Sequence, residues 1–205
     1  MMLSTQLSYG VAFGALQNQA ESGDQYLVKK FPNSVLVVVA DGVGHGEEAA
    51  YAAKKAMHIL NMSEGESLTD LVKRCHVELT ETRGMAITLA LIHDQYRVSW
   101  LGIGNVTVVH WHKTVGAKTK REELLSQGGI VGLRLPPLRV SQITTGPGDT
   151  LIFATDGISS KFIAIPPMCH ALPQTIADHI FREFRDPKDD ALVLVTRWKN
   201  AEVRF

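Results

Sequence analysis

The sequence has few of the features that mark secreted or membrane-spanning proteins. Its two cysteines, Cys75 and Cys169, stand among apolar neighbours. They are too few for a disulfide framework and fit a reducing compartment. The N-terminal segment lacks the basic and apolar regions of a signal peptide, and no apolar run approaches the length of a membrane span. We therefore expect a cytoplasmic protein with no membrane partner.

An excess of charge of one sign is also lacking. Lys and Arg together number 21, as do Asp and Glu, so no overall field favours nucleic acid or an anionic membrane as a partner. An anionic substrate would need another source of positive charge. Hydrophobic residues make up 45% and charged residues 20% of the 205, which is ordinary for a globular chain. Without repeats or linkers, residues 1–205 are predicted to form one domain.

The most informative stretch is VLVVVADGVGHG, Val35–Gly46. Its apolar, β-branched half predicts a buried strand, and Asp41 stands where that strand leaves the core. An Asp-Gly pair is also the ordinary way to close a strand with a turn. The stretch by itself therefore does not separate a functional aspartate from a turn residue.

The remaining pattern predicts many strands with helices segregated between them. Strands are expected at Leu7–Leu16, Asp24–Phe31, Ser34–Ala40, Met85–His93, Gln95–Gly102, Val106–His112, Val140–Thr145, Thr150–Thr155 and Ala191–Thr196. Apolar stripes predict helices over Ala49–Leu60, after a capping pair of Ser67 and Asp70, and over Pro173–Phe184. Lys113–Glu123 is interpreted as a surface loop or short helix, and Gly128–Pro137 as a packed loop.

Short connections predict that the first three strands pair antiparallel and that the strands between Met85 and His112 form a meander. Strands this numerous, with helices apart from them in sequence, favour an α+β fold in which two packed sheets carry helices outside.

Four aspartates stand at strand ends. Asp41 and Asp156 each follow a predicted strand, whereas Asp24 and Asp189 each open or precede one. In an antiparallel sheet the end of one strand and the start of its neighbour share an edge, so the four could gather on one rim. Clustered carboxylates repel each other unless a cation compensates. Oxygen ligands select Mg²⁺ or Mn²⁺, and a pair of such ions can activate water and neutralise a phosphoryl group.

The motifs around these aspartates resemble a known family. SGD at Ser22–Asp24, ADGVGHG at Ala40–Gly46, ATDGI at Ala154–Ile158 and DDALVLV at Asp189–Val195 occur in the order found in the metal-dependent protein phosphatase 2C (PPM) family. The resemblance is closest to its small bacterial branch of SpoIIE and RsbX types. It implies an αββα sandwich and hydrolysis of phosphoserine or phosphothreonine with two Mn²⁺ or Mg²⁺ ions.

The resemblance also implies roles for individual residues. Asp41 matches the aspartate that bridges both ions, and Gly42 matches the residue that offers a backbone carbonyl to one of them. Asp24 matches an acidic ligand of that same ion. Asp156 and Asp189 match the ligands of the other ion; Asp41 and Asp156 are the two residues expected to be essential for catalysis.

The sequence departs from the family pattern at several places. If the family motif is aligned one residue further along, Asp190 and not Asp189 matches the metal ligand. Asn105 stands where an aspartate can help to hold a third ion, which should weaken any such site. Val43 occupies the position of a histidine proposed as a general acid in larger members. His45 is nearby, as a candidate proton donor or as a loop or capping residue.

No arginine precedes Asp24 at the place where some members bind phosphate, so the metal ions would hold the phosphate alone. Arg83 is interpreted either as a contact for a substrate protein or as an exposed, solvated side chain. A cysteine nucleophile is disfavoured, because neither cysteine lies in a phosphate-cradling C-x₅-R loop.

The small size and the Arg83–Ala90 and Gly128–Leu133 segments most resemble the RsbX type of stressosome phosphatase. That resemblance implies phosphorylated STAS-domain proteins of partner-switching systems as partners, and a role in stress signalling. Two alternatives remain open from the sequence: a catalytically inactive phosphatase-like binding module, and a hydrolase of small phosphoesters.

Overall fold

The computed structural model describes residues 7–113, 120–168 and 170–198. Its strands in chain order are β1 Leu7–Gly14, β2 Asp24–Lys30, β3 Ser34–Gly42, β4 Met85–His93, β5 Arg97–Ile103, β6 Thr107–Trp111, β7 Arg121–Leu124, β8 Ser141–Thr144, β9 Thr150–Ala154 and β10 Ala191–Trp198. The helices are α1 Glu47–Asn61, α2 Leu68–Glu78 and α3 Pro173–Phe184, with a 3₁₀ helix at Ser160–Ala164.

These strands form two five-stranded sheets in which every pairing is antiparallel. One sheet has the order β1-β10-β9-β6-β7, and the other has the order β2-β3-β4-β5-β8. The central core lies between the sheets, α1 and α2 cover the outer face of the β2–β8 sheet, and α3 covers the outer face of the other. The predicted α+β fold, an αββα sandwich, is confirmed.

Strand β3 shows why its sequence is apolar without alternation. Val37 and Val39 face the core between the sheets, whereas Leu36 and Val38 face the helical layer. All four are almost completely buried, because a strand covered on both faces needs apolar residues at every position. Asp41 continues the Val37–Val39 side of the strand, so its position places it at the edge of the space between the sheets.

The helices follow the predicted patterns closely. Small residues of α1, among them Ala52 and Ala56, let that helix pack tightly on its sheet. The Ser67 hydroxyl accepts a hydrogen bond from the Asp70 amide, which confirms the capping pair at the start of α2. Helix α3 has the predicted bounds and begins with proline at its first turn, where no intrahelical N–H bond is lost.

Two predicted strand pairings are wrong. β1 pairs with β10 and not with β2, and β6 pairs with β9 and β7 and not with β5. In each case the chain crosses from one sheet to the other through a short connection. A short connection limits the distance between two strands, but it does not require them to be hydrogen-bonded neighbours.

The segment interpreted as Lys113–Glu123 is also different from the prediction. Residues 121–124 form β7 beside β6, so this part is neither a loop nor a helix; residues 114–119 lie outside the described residues. Gly128–Pro137 is a packed loop as predicted, bridged to β4 through Met85 and Val131. Cys75 is a buried free thiol in α2, and Cys169 lies outside the described residues. Within the described ranges, no helix is long and apolar enough to cross a membrane.

Candidate metal centre

The four motif aspartates lie at one end of the sandwich. Asp24 and Asp41 stand directly opposite each other in the β2–β3 register. Asp156 follows β9 and Asp189 precedes β10, which is the antiparallel neighbour of β9 in the other sheet. Each sheet therefore contributes two carboxylates to the same rim, as the strand-end pattern predicted.

The rim surrounds an open cavity of about 620 Å³. Its acidic walls are Asp41, Asp156 and Asp189, and Asn105 joins them. Gly104, Gly128 and Gly129 are among the other lining residues, and they leave part of the cavity without side chains. Among the described lining residues the basic ones are His45 and Lys188.

The glycine after each of two aspartates is required by close packing. A Cβ atom on Gly42 would lie 2.3 Å from the carbonyl oxygen of Ala49 in α1. A Cβ atom on Gly157 would lie 1.8 Å from the carbonyl oxygen of Asp190. Both Asp-Gly pairs therefore let backbone from a neighbouring segment approach the turn that carries the aspartate.

Asp24 is the most buried of the four, with 1% of its surface exposed. The Thr155 hydroxyl donates a hydrogen bond of 2.6 Å to its Oδ2 and accepts one of 2.9 Å from the Leu192 amide. Burial, followed by the charge of Asp41, raises the pKa of Asp24 to about 8. The bond from Thr155 opposes this shift but does not cancel it.

Asp41 and Asp189 are also affected by burial and by repulsion between carboxylates. Burial and then the charge of Asp156 raise the pKa of Asp41 well above its usual range. The same two causes, in the same order, raise the pKa of Asp189. Among the described residues no three of these carboxylates have oxygens all within 4.8 Å of one another, so some side-chain rotation would be needed to enclose an ion. An all-oxygen donor set with this unbalanced charge fits hard divalent cations such as Mg²⁺ or Mn²⁺.

Asp189 and Asp190 occupy different environments. Asp190 is buried, and its two carboxylate oxygens accept hydrogen bonds of 2.6 Å from the Leu16 amide and 2.7 Å from the Gly23 amide. Asp189 lines the cavity, and its Oδ1 accepts a bond from the Asp190 amide. Asp190 thus ties β10 to the loop that precedes Asp24, whereas Asp189 faces the space in which an ion would lie.

Asn105 is placed between two aspartates. Its amide donates a hydrogen bond of 2.7 Å to Oδ2 of Asp156, and its hydrogen bond to Asp41 lowers the pKa of that carboxyl, although not enough to offset burial and Asp156. His45 is exposed at the cavity wall. The N-cap of α1 is Gly46, and no side chain caps this helix.

Arg83 forms an ion pair with Glu48 at the surface and is half exposed. Its guanidinium also lies beside Gly44 of the cavity wall. The side chain is therefore exposed, as one of the two interpretations expected, but it is held by an acidic partner.

Sequence reasoning did not identify Thr155, the tethering role of Asp190, or Lys188. Thr155 lies within the ATDG motif. It is two residues after Phe153, so it faces the same side, toward the space between the sheets. That signal was available. The bonds of Asp190 to residues near the start of the chain had no local signal.

The sandwich and its acidic rim define a class, the protein phosphatase 2C fold. A profile of the family described as Stage II sporulation protein E (SpoIIE) matches residues 32–199. This chain belongs to that family, which confirms the resemblance found in the four motifs. Among curated protein sequences no significant match was found.

Solved structures show the same fold. RsbX in complex with magnesium is similar with a TM-score of 0.79 and 18% identity, over 95% of this chain and 96% of that one. A chain with the phosphatase domain and a fragment of the regulatory domain of SpoIIE from Bacillus subtilis has a TM-score of 0.73 and 20% identity, over 94% of this chain and 63% of that one.

A third solved chain is described by the words "The bacterial stressosome: a modular system that has been adapted to control secondary messenger signaling". It is similar with a TM-score of 0.82 and 27% identity, over 94% of this chain and all of that one.

Proposed function

We propose that this protein is a metal-dependent phosphatase that hydrolyses phosphoserine and phosphothreonine in regulatory proteins. The observation that supports it most directly is that Asp41, Asp156 and Asp189, from both sheets, line one open cavity, with Asp24 buried opposite Asp41 in the β2–β3 register. Burial and then repulsion between the carboxylates raise the pKa values of Asp24 and Asp41. A divalent cation bound beside these carboxylates would offset both effects.

We assign the ligand set to Asp24, Asp41, Asp156 and Asp189, with the Gly42 carbonyl and with Asp190 as the tether behind them. Bound divalent cations would supply Lewis-acid activation of water and neutralise the charge of the phosphoryl group. Thr155 fixes the orientation of Asp24 through a hydrogen bond, and Asn105 does the same for Asp156.

The open, glycine-lined cavity suits a substrate presented by another protein. A phosphorylated side chain can enter without a narrow pocket that would select a small molecule. The similarity to RsbX, and to a solved chain whose description concerns the bacterial stressosome, supports a regulatory protein as the substrate. Because the motifs resemble the RsbX type, we propose phosphorylated STAS-domain proteins of a stress-signalling system.

The primary test is phosphate release with Mn²⁺, with Mg²⁺ and with a chelator. The substrates are an aryl phosphate and a phosphorylated STAS-domain protein. We expect release from both with either metal, none with the chelator, and a higher kcat/KM for the phosphoprotein. Activity that survives chelation would contradict the mechanism, and a preference for the aryl phosphate would favour a small-phosphoester hydrolase.

Substitutions at the rim test the site assignment. Asp41→Asn and Asp156→Asn each remove a charged oxygen ligand, so we expect turnover to fall by roughly three orders of magnitude or more while the fold is kept. Asp94→Asn is the matched control, because Asp94 is an exposed aspartate in the turn after β4. Full activity in a folded Asp41→Asn variant would overturn the assignment, and inactive wild-type protein that still binds Mg²⁺ would indicate a binding module.

A further inference from the structure

A second group of potential metal ligands lies away from the aspartates, at the other end of β6. His110 and His112 are two residues apart and so lie on the same side of the extended chain. His110 is also directly opposite Glu122 in the β6–β7 register. The pairing continues past the strand, since the His112 amide donates to the carbonyl of Lys120. Each of the two histidines and Glu122 offers a ligand atom, and these three atoms lie within 4.8 Å of one another.

His110 has an unsatisfied nitrogen in a buried position. Its side chain is fully buried, and its Nε2 lies 2.9 Å from Oδ2 of Asp149. Its Nδ1 is buried without a hydrogen-bond partner among the described residues. Buried polar atoms are rarely left in this state, because an unpaired buried nitrogen destabilises the fold. A ligand for Nδ1 would remove that penalty.

His112 has a similar unsatisfied atom. Its Nε2 is buried without a hydrogen bond among the described residues, and it lies 3.5 Å from Oε1 of Glu122. Two ligands of one tetrahedral zinc ion are separated by about 3.4 Å when each bond is near 2.1 Å.

Asp149 supports His110 from behind. Its oxygens accept hydrogen bonds from the amides of Gly146 and Lys113, so the carboxylate is fixed before any metal arrives. A carboxylate bound to one imidazole nitrogen orients the ring and raises the basicity of the other nitrogen toward a metal. The chain Asp149–His110 has this arrangement, with Nδ1 as the free atom.

We propose that His110, His112 and Glu122 form a Zn²⁺-binding site that clamps the β6–β7 pair, separate from the aspartate cavity. Two imidazoles and one carboxylate are donors that suit zinc, whereas the oxygen-only rim suits Mg²⁺ or Mn²⁺. Thr107 begins β6 two residues after Asn105, which lines the aspartate cavity. It is about 16 Å from His112 along extended chain, so the two sites take separate ions. Lys120 lies 2.6 Å from Oε1 of Glu122 and is exposed, so its ammonium group would move into solvent when the ion binds.

Co²⁺ is a suitable probe because its visible spectrum reports its ligands. Tetrahedral Co²⁺ with nitrogen ligands absorbs strongly, whereas octahedral Co²⁺ among oxygen ligands absorbs weakly. Full-length protein freed of metal and then supplied with excess Mg²⁺ is titrated with Co²⁺. We expect a strong visible band that saturates at one equivalent and that Zn²⁺ abolishes by displacement. A weak spectrum or none in the wild-type protein would overturn the proposal.

Substitutions test which residues bind the Co²⁺ ion that gives the absorption band. His112→Gln and Glu122→Gln are expected to weaken Co²⁺ binding at least tenfold. His58→Gln, in α1, and Glu123→Gln, next to Glu122 in β7, change exposed residues outside the proposed ligand set and should leave binding unchanged. Asp41→Asn, in the aspartate cavity, should also leave the band intact. Circular dichroism checks that each variant is folded. A band that persists in folded His112→Gln, or that disappears in Asp41→Asn, would refute the site.

Discussion

Asp24, a proposed metal ligand, illustrates how a buried carboxyl can lower the stability of the metal-free protein. Its carboxyl is almost completely buried, and its pKa is raised to about 8. Its pKa is therefore higher in the folded than in the unfolded state. Below the unfolded pKa the carboxyl is protonated in both states, and its favourable contribution to folding is complete. As the pH rises toward the folded pKa, ionisation favours the unfolded state and this contribution is lost. The metal-free protein therefore loses stability from this residue between about pH 4 and about pH 8.

The substitution Asp24→Asn tests this pH dependence. In the metal-free protein the substitution should raise the free energy of unfolding at about pH 8 by roughly 2–5 kcal/mol, since one pKa unit corresponds to about 1.4 kcal/mol. It should also flatten the fall in Tm with rising pH. Thermal unfolding across this pH range measures both effects, with Asp94→Asn as the control. If Asp24→Asn leaves the pH dependence of Tm unchanged, ionisation of Asp24 does not destabilise the fold.

Lys188 is an exposed lysine that lines the acidic cavity. We predict that Lys188→Ala raises KM for a phosphoprotein by roughly 2- to 10-fold with a smaller change in kcat, because an exposed charge contributes modestly to binding. Lys73→Ala, on the exposed side of α2, should change neither. A fall in kcat without a change in KM would show that Lys188 acts in the reaction and not in binding.

At the scale of elements, the turn after β9 depends on close contact with the segment before β10. Gly157→Ala places a methyl group where the Asp190 carbonyl oxygen lies, so the two segments must separate. We predict a loss of about 2–3 kcal/mol in the free energy of unfolding, together with weaker Mg²⁺ binding. Gly128→Ala is the stability control, since its Cβ would meet no atom within 4 Å. Denaturant unfolding with and without Mg²⁺ distinguishes the two variants.

The sequence predicted most elements well because their patterns are local. Helix α3 and strand β4 have the predicted bounds, and both are defined by the spacing of their own apolar residues. The partners of β1 and β6 were not predictable in this way. Those partners are decided by which apolar faces fit across the sandwich, and the connections between strands carry no information about that fit. The short strand β7 has a polar sequence, REEL, and no apolar alternation that would indicate a strand.

The candidate site shows the same contrast between local features, which are visible in the sequence, and long-range contacts, which are not. The aspartates were found because each stands at a strand end and belongs to a short motif. The bond from Thr155 to Asp24 joins residues 131 positions apart, and the bond from the Gly23 amide to Asp190 joins residues 167 positions apart. Contacts of this length are products of the complete fold, so the sequence could indicate the proposed ligands but not the residues that hold them in place.

At the scale of the whole molecule, the rim depends on how the two sheets pack. Val39 faces the core between the sheets and Val38 faces the helical layer, and both are fully buried in β3. Val39→Ala and Val38→Ala should each cost about 2 kcal/mol of stability. We predict that Val39→Ala reduces the Tm increase produced by Mg²⁺ more than Val38→Ala does. Equal responses would show that the metal centre is insensitive to the spacing of the sheets.

The position of β10 has a consequence for the timing of biosynthesis. This strand lies between β1 and β9 in its sheet, yet the ribosome makes it after every other described element. Until it emerges, β1 has no hydrogen-bonding partner strand, and the rim lacks Asp189 and the Asp190 tether. A nascent chain that lacks β10 therefore cannot assemble the complete set of proposed ligands. If the proposed activity is correct, it appears only when translation has passed β10, so incomplete chains on the ribosome would not dephosphorylate signalling proteins.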